Sequence, residues 1–549
     1  MDGIITSEKV WANSYPNEVD VDFEGDNNTL LDNLFCSIRD YGNNSALVYE
    51  DQEMTYNELG KNVKRFASFL SQRGVKKGTQ IAISLPNSFE MVIACYSCMA
   101  IGAVFILMNP SYKEYELDEI YEKSKIKYLI CTSEIAKRTL KINHKAHLDI
   151  HNIIIIDDNE LTKDLADNEN ESSIILNFNE CLNSGDPNFD FDMPIPNDTV
   201  CLQFTGGTTG KIKAAVLTHR NLNFDVAALE HSIYDFVRGQ EVVISACPLF
   251  HIYGFTVSMN YAIRTASKNI LVSKAYPQKI IQILNGYNIT LAALVPAHYI
   301  GMLEYTDLLE KSDLVNVRFL SGGAGAPIEV LDKFERITGK PILEGYGLTE
   351  ASPVTHLNPY NGKVKFGSIG IPFPGVWAAI KSIGKNSKFL PSGERGELVI
   401  KGPNVFSGYY NTDDGYEANK TSEWLHTGDL AYMDDDGYFY IVDRIKDIII
   451  TSAFNVSPRE LEEFFYHHPK VYKVAVIGVP DKKKGEAIVV FVVLKEGETA
   501  TESELLQYCK EGLSKYKLPK DIVITERLPE NQAGKILKYV LKENYTNKK

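Results

Sequence analysis

A short segment rich in glycine and threonine has the composition of a phosphate-binding loop. Its six residues are Thr205, Gly206, Gly207, Thr208, Thr209 and Gly210, and Lys211 and Lys213 follow closely. Glycine lets backbone N–H groups approach an anion, while hydroxyl and ammonium groups add further donors. We therefore expect this segment to bind phosphate with the help of Lys213. A plain Gly/Thr turn without a ligand is the alternative.

A Walker-type loop is excluded by the spacing of this segment. Gly206 and Gly210 enclose three residues rather than four. Ile212 also follows Lys211 at the place where a Walker loop has Ser or Thr to bind magnesium. If the segment binds a nucleotide, it does so within a different kind of site.

Residues further along the chain could bind the rest of a magnesium nucleotide. In Tyr346-Gly347-Leu348-Thr349-Glu350, the aromatic ring could pack on a purine, the hydroxyl could meet the α-phosphate and the carboxylate could bind Mg²⁺. Asp429 has a carboxylate that can accept hydrogen bonds from hydroxyl groups, and Lys535 has a positive charge that can pair with an anion. Each has a structural alternative: a capping or surface acid for Glu350, a turn residue for Asp429 and a solvated side chain for Lys535.

The elements that must position these residues are alternating helices and short apolar strands. We expect strands over residues 80–85, 128–131 and 153–156, with a helix over residues 56–72 before them. This alternation predicts an α/β fold in which parallel or mixed sheets are flanked by helices. We expect these sheets to form a large domain over residues 1–442.

A smaller α+β domain is predicted over residues 443–549. A turn at residues 434–437 indicates a hairpin just before it. Beyond the boundary we expect strands over residues 447–451, 474–478 and 487–494, and helices over residues 457–467 and 502–513. The first of these helices begins with Ser457-Pro458-Arg459-Glu460, which combines a capping serine, a proline at the first helical position and a glutamate three residues after the cap.

Composition and charge limit the class of protein. The 549 residues carry a formal net charge of −15, which argues against general nucleic-acid binding. Eight scattered cysteines and the lack of a recognisable signal peptide favour reduced thiols and a cytoplasmic location. Residues 91–108 contain no charge, but Gly102 divides them. We therefore expect a helix followed by a buried strand rather than a transmembrane span, and a peripheral membrane contact stays open.

The order of the motifs resembles the acyl-adenylate-forming family, which includes acyl-CoA synthetases, firefly luciferases and peptide-synthetase adenylation domains. Residues 205–219 resemble its phosphate-binding signature. The resemblance continues over nearly the whole chain through Pro248-Leu-Phe-His251-Ile-Tyr-Gly254, Ser321-Gly-Gly-Ala-Gly-Ala-Pro327, Gly345-Tyr-Gly-Leu-Thr-Glu350, Gly396-Glu397, Trp424-Leu-His-Thr-Gly-Asp429, Asp443-Arg-Ile-Lys-Asp447 and Gly534-Lys-Ile-Leu537.

The resemblance implies roles for individual residues. Lys535, Thr349, His251 and Lys446 are the implied catalytic residues, with Lys535 stabilising charge on the reacting phosphate. Lys446 is also the implied hinge near residues 443–447, because such enzymes rotate the small domain between their two half-reactions. Thr205 and Glu350 are the implied Mg²⁺ ligands. Besides the phosphate loop, Lys213, Thr349 and Lys535, the implied ATP-binding residues are Gly323, Ala324, Gly345, Tyr346, Gly347, Asp429 and Arg444.

The implied acid pocket is apolar. His251, Tyr253, Val257, Gly322 and Gly323 would line it, although His251 could equally be a structural histidine. No acidic residue stands ready to pair with an amino group, so an aliphatic acid fits better than an amino acid. Residues 9–16 and Gly206 resemble bacterial long-chain fatty-acid–CoA ligases most closely. A medium- or long-chain fatty acid is therefore expected, and an aryl acid of the 4-coumarate kind is the alternative.

The expected reaction uses ATP, Mg²⁺ and coenzyme A. Acid and MgATP would give acyl-AMP and pyrophosphate, and the CoA thiol would then give the thioester and AMP. Ala453 stands where the family often has a glycine in the thiol tunnel, so a carrier protein stays open as the acceptor. Luciferase chemistry shares the first half-reaction, but nothing specific favours it. A non-catalytic binding protein is disfavoured because Lys535, Glu350 and Asp429 are all present.

Overall fold

Helices and strands alternate along most of the chain, as predicted. The computed structural model describes residues 9–143, 150–157, 174–206, 212–384, 387–410, 417–418, 423–451, 454–481, 485–530 and 536–547. The predicted α/β class with mixed sheets is confirmed. Several motif residues (Gly207, Thr208, Thr209, Gly210, Ala453 and Lys535) lie outside the described ranges.

One mixed sheet of the described chain contains the strand that leads into the phosphate segment. Its core strands are parallel, and the strands on the other side of residues 199–206 are antiparallel. Across the sheet, the strands are Glu417–Ala418, Gly408–Tyr409, Ile212–Thr218, Thr199–Gly206, Val104–Leu107, Gln80–Ser84, Ile126–Cys131, Asn152–Ile155 and Ile174–Asn177.

A second mixed sheet positions three of the other motifs, at residues 248–254, 321–327 and 345–350. Five neighbouring connections in it are parallel, and both of its edges are antiparallel. Within the described residues, its strands in spatial order are Ile371–Pro372, Val354–Leu357, Ile342–Gly347, Arg318–Ser321, Leu291–Leu294, Val242–Ser245, Lys268–Leu271, Ser45–Tyr49 and Gln52–Thr55. The parallel strands point the same way, so the segments that follow them meet at one edge of the sheet.

Helices cover these sheets, and side-chain caps fix where several of them begin. Thr55 caps the helix Tyr56–Gln72 in a capping box with Glu58. The α-helices of the large domain in the described residues are Leu30–Tyr41, Tyr56–Gln72, Phe89–Ala100, Glu114–Glu122, Ser133–Asn143, Phe178–Ser184, His219–Ser232, Tyr261–Arg264, Pro277–Gly286, Pro296–Met302, Thr306–Leu309 and Ile328–Thr338. A π-helix, Gly254–Asn260, precedes the helix Tyr261–Arg264.

The uncharged segment over residues 91–108 forms a helix and a strand, as predicted. The helix Phe89–Ala100 begins at the capping residue Ser88, and the strand Val104–Leu107 is fully buried. Gly102 between them has a φ of +65°, the left-handed conformation in which glycine ends helices. In the part of the chain that the structure describes, no helix has the length and apolarity to cross a membrane.

Two further sheets follow the mixed sheets along the chain. An antiparallel sheet of the described residues contains the strands Trp377–Lys381, Gly396–Lys401, Leu425–Met433 and Phe439–Arg444, and the predicted hairpin joins the last two. The C-terminal sheet contains Ile449–Thr451, Phe454–Val456, Val471–Asp481, Gly485–Leu494 and Asp521–Ile524. The helices Pro458–Tyr466, Glu502–Gly512 and Lys538–Asn547 belong to this C-terminal part.

The turn between these two sheets makes the predicted strand over residues 447–451 shorter than expected. The strand begins at Ile449, because the N–H groups of Asp447 and Ile448 bond to the carbonyl of Arg444 and keep these residues in a turn. The predicted helix after Ser457 is confirmed, since the Ser457 side chain accepts the N–H of Glu460. Asp443 reinforces its start by accepting hydrogen bonds from Ser457 Oγ at 2.8 Å and from the N–H of Arg459 at 2.9 Å.

Candidate active site

Several of the predicted site residues lie where parallel strands of the second mixed sheet end. His251 follows the strand Val242–Ser245, and Gly322 follows the strand Arg318–Ser321. Tyr346 lies at the end of the strand Ile342–Gly347. Because these strands are parallel and close to one another, the sheet itself brings together motifs that are far apart in the sequence.

Three predicted nucleotide-binding residues contact one another. Asp429 and Arg444 are cross-strand neighbours on the strands Leu425–Met433 and Phe439–Arg444, and Arg444 Nε lies 2.6 Å from Asp429 Oδ1. The hydroxyl of Tyr346 donates a hydrogen bond to Asp429 Oδ2. Burial, together with the charge of Asp429, raises the pKa of Tyr346 well above its ordinary value. The hydroxyl therefore stays protonated and remains a donor.

A second set of predicted residues meets beside the phosphate segment. Thr205 and Lys213 are cross-strand partners, and Lys213 Nζ lies 4.7 Å from the centre of the Tyr409 ring. The Tyr409 hydroxyl donates a hydrogen bond of 2.8 Å to Glu350 Oε1. Lys213 and Tyr409 thus connect the phosphate segment to Glu350, the predicted magnesium ligand. Gly206 ends the strand that contains Thr205.

Backbone contacts hold the turn that carries Thr349 and Glu350. The N–H of Leu348 bonds to the carbonyl of Pro353 at 2.9 Å, and the N–H of Phe406 bonds to the carbonyl of Glu350 at 2.9 Å. Gly347 passes so close to Pro353 that a Cβ atom would lie 1.8 Å from the Pro353 carbonyl oxygen. Only glycine fits there, which explains the glycine between Tyr346 and the turn.

The predicted acid-binding residues lie close to the edge at which the parallel strands of the second mixed sheet end. Tyr253 donates a hydrogen bond from its hydroxyl to the carbonyl of Leu294, and its ring packs so close to Gly322 that a Cβ atom there would lie 3.0 Å away. Val257 is buried in the π-helix Gly254–Asn260, whereas His251 is exposed just before it. The structure therefore brings Tyr253 and Gly322 together.

Three further predicted nucleotide-binding residues lie in a strand of the second mixed sheet or directly after one of its strands. Gly323 and Ala324 are exposed after the strand Arg318–Ser321, and Gly345 is paired with Leu357 in the sheet. Lys446 is exposed in the turn after the strand Phe439–Arg444.

Two residues of this region were not predicted from the sequence. Tyr409 contacts Glu350, and Glu344 lies directly before Gly345. The two carboxylate oxygens of Glu344 accept the N–H groups of Ala326 and Gly367, at 3.1 and 3.3 Å. Burial raises the pKa of Glu344 to about 7, although these N–H groups and the guanidinium of Arg459 favour its charged form. Glu344 thus supports the connection that contains Gly323 and Ala324.

The donor atoms at the turn suit magnesium. Mg²⁺ prefers oxygen ligands, and it is commonly bound by one or two carboxylates together with substrate phosphates. Glu350 offers a carboxylate beside the hydroxyl of Tyr409, and Thr205 offers a hydroxyl in the strand that contains the cross-strand partner of Lys213. Across the described ranges, no group of three or more His, Cys, Asp or Glu side chains could hold a metal. One carboxylate and one hydroxyl fit an ion whose remaining ligands are substrate phosphates.

The fold and the site together define an adenylate-forming enzyme. The chain belongs to the family of AMP-binding enzymes, whose profile matches residues 35–410, and the profile of the AMP-binding enzyme C-terminal domain matches residues 460–535. The predicted family and enzyme class are confirmed.

Proteins similar to this chain are acid–CoA ligases. A long-chain-fatty-acid–CoA ligase of Bacillus subtilis (strain 168) is 35% identical over 557 residues, which cover 98% of this chain and 99% of the relative. A probable 4-coumarate–CoA ligase of Dictyostelium discoideum is 32% identical over 506 residues, covering 90% of each chain. The crystal structure of ATP-bound MatB from Rhodopseudomonas palustris has a TM-score of 0.81 at 28% identity, covering 95% of this chain and 99% of MatB.

Proposed function

We propose that this protein activates a fatty acid with MgATP and transfers the acyl group to coenzyme A. The supporting observation is that two groups of contacting residues lie at the two ends of the segment over residues 346–350. Tyr346, Asp429 and Arg444 form one group, and Lys213, Tyr409 and Glu350 form the other. The first group suits an adenosine, and the second suits its phosphates and a magnesium ion.

In the first half-reaction, a carboxylate oxygen of the acid attacks the α-phosphorus of ATP and pyrophosphate leaves. Thr349 contacts the α-phosphate, and Thr205 with Glu350 holds the magnesium ion, which neutralises phosphate charge when bound. Lys535 supplies a positive charge where the two anions meet. Residues 205–210 and Lys213 bind the departing phosphates, while Asp429 and Arg444 hold the ribose.

The adenine and the acid occupy neighbouring parts of the site. Gly323, Ala324, Gly345, Tyr346 and Gly347 surround the adenine. The acid lies along His251, Tyr253, Val257, Gly322 and Gly323, where the buried Val257 and the ring of Tyr253 suit an alkyl chain. A medium- or long-chain aliphatic acid is the preferred substrate. The similarity to a probable 4-coumarate–CoA ligase favours an aryl acid as the second candidate.

In the second half-reaction, the sulfur of the CoA thiol attacks the acyl carbon and AMP leaves. Residues 443–549 act as a mobile domain against residues 1–442, and the turn that contains Lys446 is the hinge. The exposure of Lys446 supports this role, because a solvent-facing turn can change its dihedral angles without disturbing a core. Ala453 leaves a carrier protein as the alternative acceptor.

We place the enzyme in the cytoplasm. All eight cysteines are free, and seven of them are buried, which suits a reducing compartment that supplies ATP and CoA. A peripheral contact with a membrane that supplies fatty acids is compatible with this location.

A screen of acids tests the proposal. Purified enzyme receives MgATP and acids of graded chain length or 4-coumarate, each with CoA, pantetheine or a carrier protein, and pyrophosphate and thioester are measured separately. We expect release of pyrophosphate with fatty acids and thioester with CoA. Thioester on the carrier protein alone would move the assignment to the alternative acceptor.

Two lysine variants give the screen a matched comparison. Lys535→Ala should abolish acid-dependent pyrophosphate release, whereas Lys542→Ala should leave it unchanged. Lys542 lies in the same C-terminal region, and its Nζ atom lies 3.5 Å from Glu486 Oε1. Near-normal adenylation by Lys535→Ala would contradict the proposed role of Lys535.

A further inference from the structure

A buried carboxyl group lies behind the turn that carries Thr349 and Glu350. Asp225 belongs to the helix His219–Ser232 and is 1% exposed. Its Oδ2 atom accepts the N–H of Val354 at 2.6 Å. Val354 begins the strand that follows the turn, so Asp225 holds the point where the turn rejoins the sheet.

A buried amide holds the same residue. Asn404 donates a hydrogen bond of 2.7 Å from Nδ2 to the carbonyl of Val354. In an extended strand, the N–H and C=O of one residue point to the same side. Asp225 and Asn404 therefore approach Val354 side by side, and together they satisfy both of its backbone groups.

These contacts connect the phosphate segment to the turn. The helix of Asp225 directly follows the strand Ile212–Thr218, which continues from the phosphate segment. One helical turn before Asp225, Asn221 donates hydrogen bonds to the carbonyls of Pro403 and Val405, at 2.8 and 3.1 Å. The helix thus holds the segment that contains Asn404. Two residues further on, the N–H of Phe406 bonds to the carbonyl of Glu350.

The surroundings of Asp225 suit a neutral group. Among the described residues, the groups that favour its charged form are the N–H of Val354 and the amide of Asn404, and no cation is among them. Burial raises the pKa of this carboxyl well above its ordinary value. Within the same residues, Asp225 Oδ1 and Asn404 Oδ1 are both buried without a hydrogen-bond partner. A proton on Asp225 would satisfy both oxygens.

We propose that Asp225 is a positioning residue for the turn of Thr349 and Glu350, and that it works as an uncharged acid. One oxygen accepts the N–H of Val354, and the other donates its proton to Asn404 Oδ1. The consequence for the reaction rests on the proposed function, because Thr349 and Glu350 act in adenylation.

Two substitutions distinguish an uncharged acid from a carboxylate. Asp225→Asn keeps one acceptor for Val354 and supplies an N–H for Asn404 Oδ1, so it reproduces the uncharged acid. Asp225→Leu has a similar size and removes both hydrogen bonds. Ser232→Ala is the control, since Ser232 Oγ donates its hydrogen bond to the carbonyl of Ala228 within the same helix, about two helical turns beyond Asp225.

Acid-dependent exchange of pyrophosphate into ATP is measured at several Mg²⁺ concentrations, beside thioester formation from supplied acyl-AMP. Asp225→Asn should stay within about 3-fold of the wild type, because every hydrogen bond is retained. Asp225→Leu should lose about 10- to 100-fold in exchange and need more Mg²⁺, as expected when support of a metal ligand is removed. Its thioester formation should fall much less.

Two kinds of result would overturn the proposal. If Asp225→Asn loses as much exchange as Asp225→Leu, the group works as a carboxylate. If Asp225→Leu lowers only the melting temperature, or lowers both half-reactions equally, it does not position the turn. If the wild type shows no exchange with any acid, the proposed function fails instead. In that case, melting temperatures test the charge state of Asp225. If Asp225 is uncharged, the melting temperature of Asp225→Asn should be near that of the wild type, and that of Asp225→Leu should be well below it.

Discussion

At the scale of single residues, Tyr409 connects the ammonium group of Lys213 to the carboxylate of Glu350. Its ring contacts Lys213, and its hydroxyl contacts Glu350. A ring that faces a cation and a hydroxyl that orients a carboxylate are separable functions. Tyr409 therefore contacts both Lys213, the proposed phosphate-binding residue, and Glu350, the proposed magnesium ligand.

Tyr409→Phe separates these functions because it keeps the ring and removes the hydroxyl. We expect the KM for MgATP to rise by about 10-fold, as is typical when a group that orients a metal ligand is lost. Tyr409→Leu should be worse, since it also removes the ring beside Lys213. Steady-state kinetics at varied MgATP measure both effects. Equal kinetics for Tyr409→Phe and the wild type would show that the hydroxyl does not orient Glu350.

Glu344 gives a prediction about pH. Its pKa in the fold, about 7, lies above the ordinary 4.5, so the fold favours the protonated form. Its favourable contribution to stability is complete below pH of about 4.5 and is lost as the pH rises through about 7. The loss amounts to about 3 kcal/mol, at roughly 1.4 kcal/mol per pKa unit.

Glu344→Gln tests this prediction because glutamine does not titrate. The melting temperature of the wild type minus that of Glu344→Gln should decrease between pH 5 and pH 8. A difference that is constant or increases with pH would contradict the assignment.

At the scale of elements, local signals explain which predictions were accurate. The helix Tyr56–Gln72 has its predicted bounds because its capping box and apolar periodicity are local. The strand Val471–Asp481 is longer than the predicted residues 474–478, because its length is set by pairing with Gly485–Leu494. The contact of Tyr409 with Glu350 spans 59 positions of the sequence and depends on a two-residue strand. No local pattern predicts such a contact.

The turn after the strand Phe439–Arg444 gives a prediction at this scale. Lys446→Pro fixes φ at residue 446 and restricts Ile445, whose N–H bonds to the carbonyl of Gly428 at 2.9 Å. If this turn is the hinge, thioester formation should fall at least about 10-fold more than adenylation, since only the former follows the domain rotation. Single-turnover measurements of the two half-reactions test it.

Asp435→Pro is the matched control for the hinge variant. It places proline at the second position of the turn from Asp434 to Gly437, where type I turns accept it. Both half-reactions should be unchanged in this control. Equal losses in both half-reactions for Lys446→Pro would argue against a hinge.

At the scale of the whole molecule, polar pairs connect the C-terminal part to the large domain. His467 Nε2 lies 2.7 Å from Glu329 Oε1, and their side chains are 62% and 40% exposed. Exposed pairs of this kind contribute about 0–1 kcal/mol. They can bias the arrangement of the domains while contributing little to the stability of either.

Glu329→Lys should therefore alter the ratio of the two half-reactions and leave the melting temperature nearly unchanged. A bias of up to about 1 kcal/mol corresponds to a change of up to about 5-fold. The half-reaction that uses this arrangement should slow, and the other should not. Asp332→Lys on the same helix is the control, since Asp332 pairs with Arg336 within that helix. A uniform change in both half-reactions would refute the bias.

The division of the site between connections of the sheets has an evolutionary consequence. Tyr253 and Val257 belong to the connection after the strand Val242–Ser245, whereas Asp429 and Arg444 belong to a separate antiparallel sheet. Substitutions can accumulate in the first connection without touching the second. With the proposed roles of these residues, selection can change acid preference one side chain at a time while the nucleotide chemistry is inherited intact.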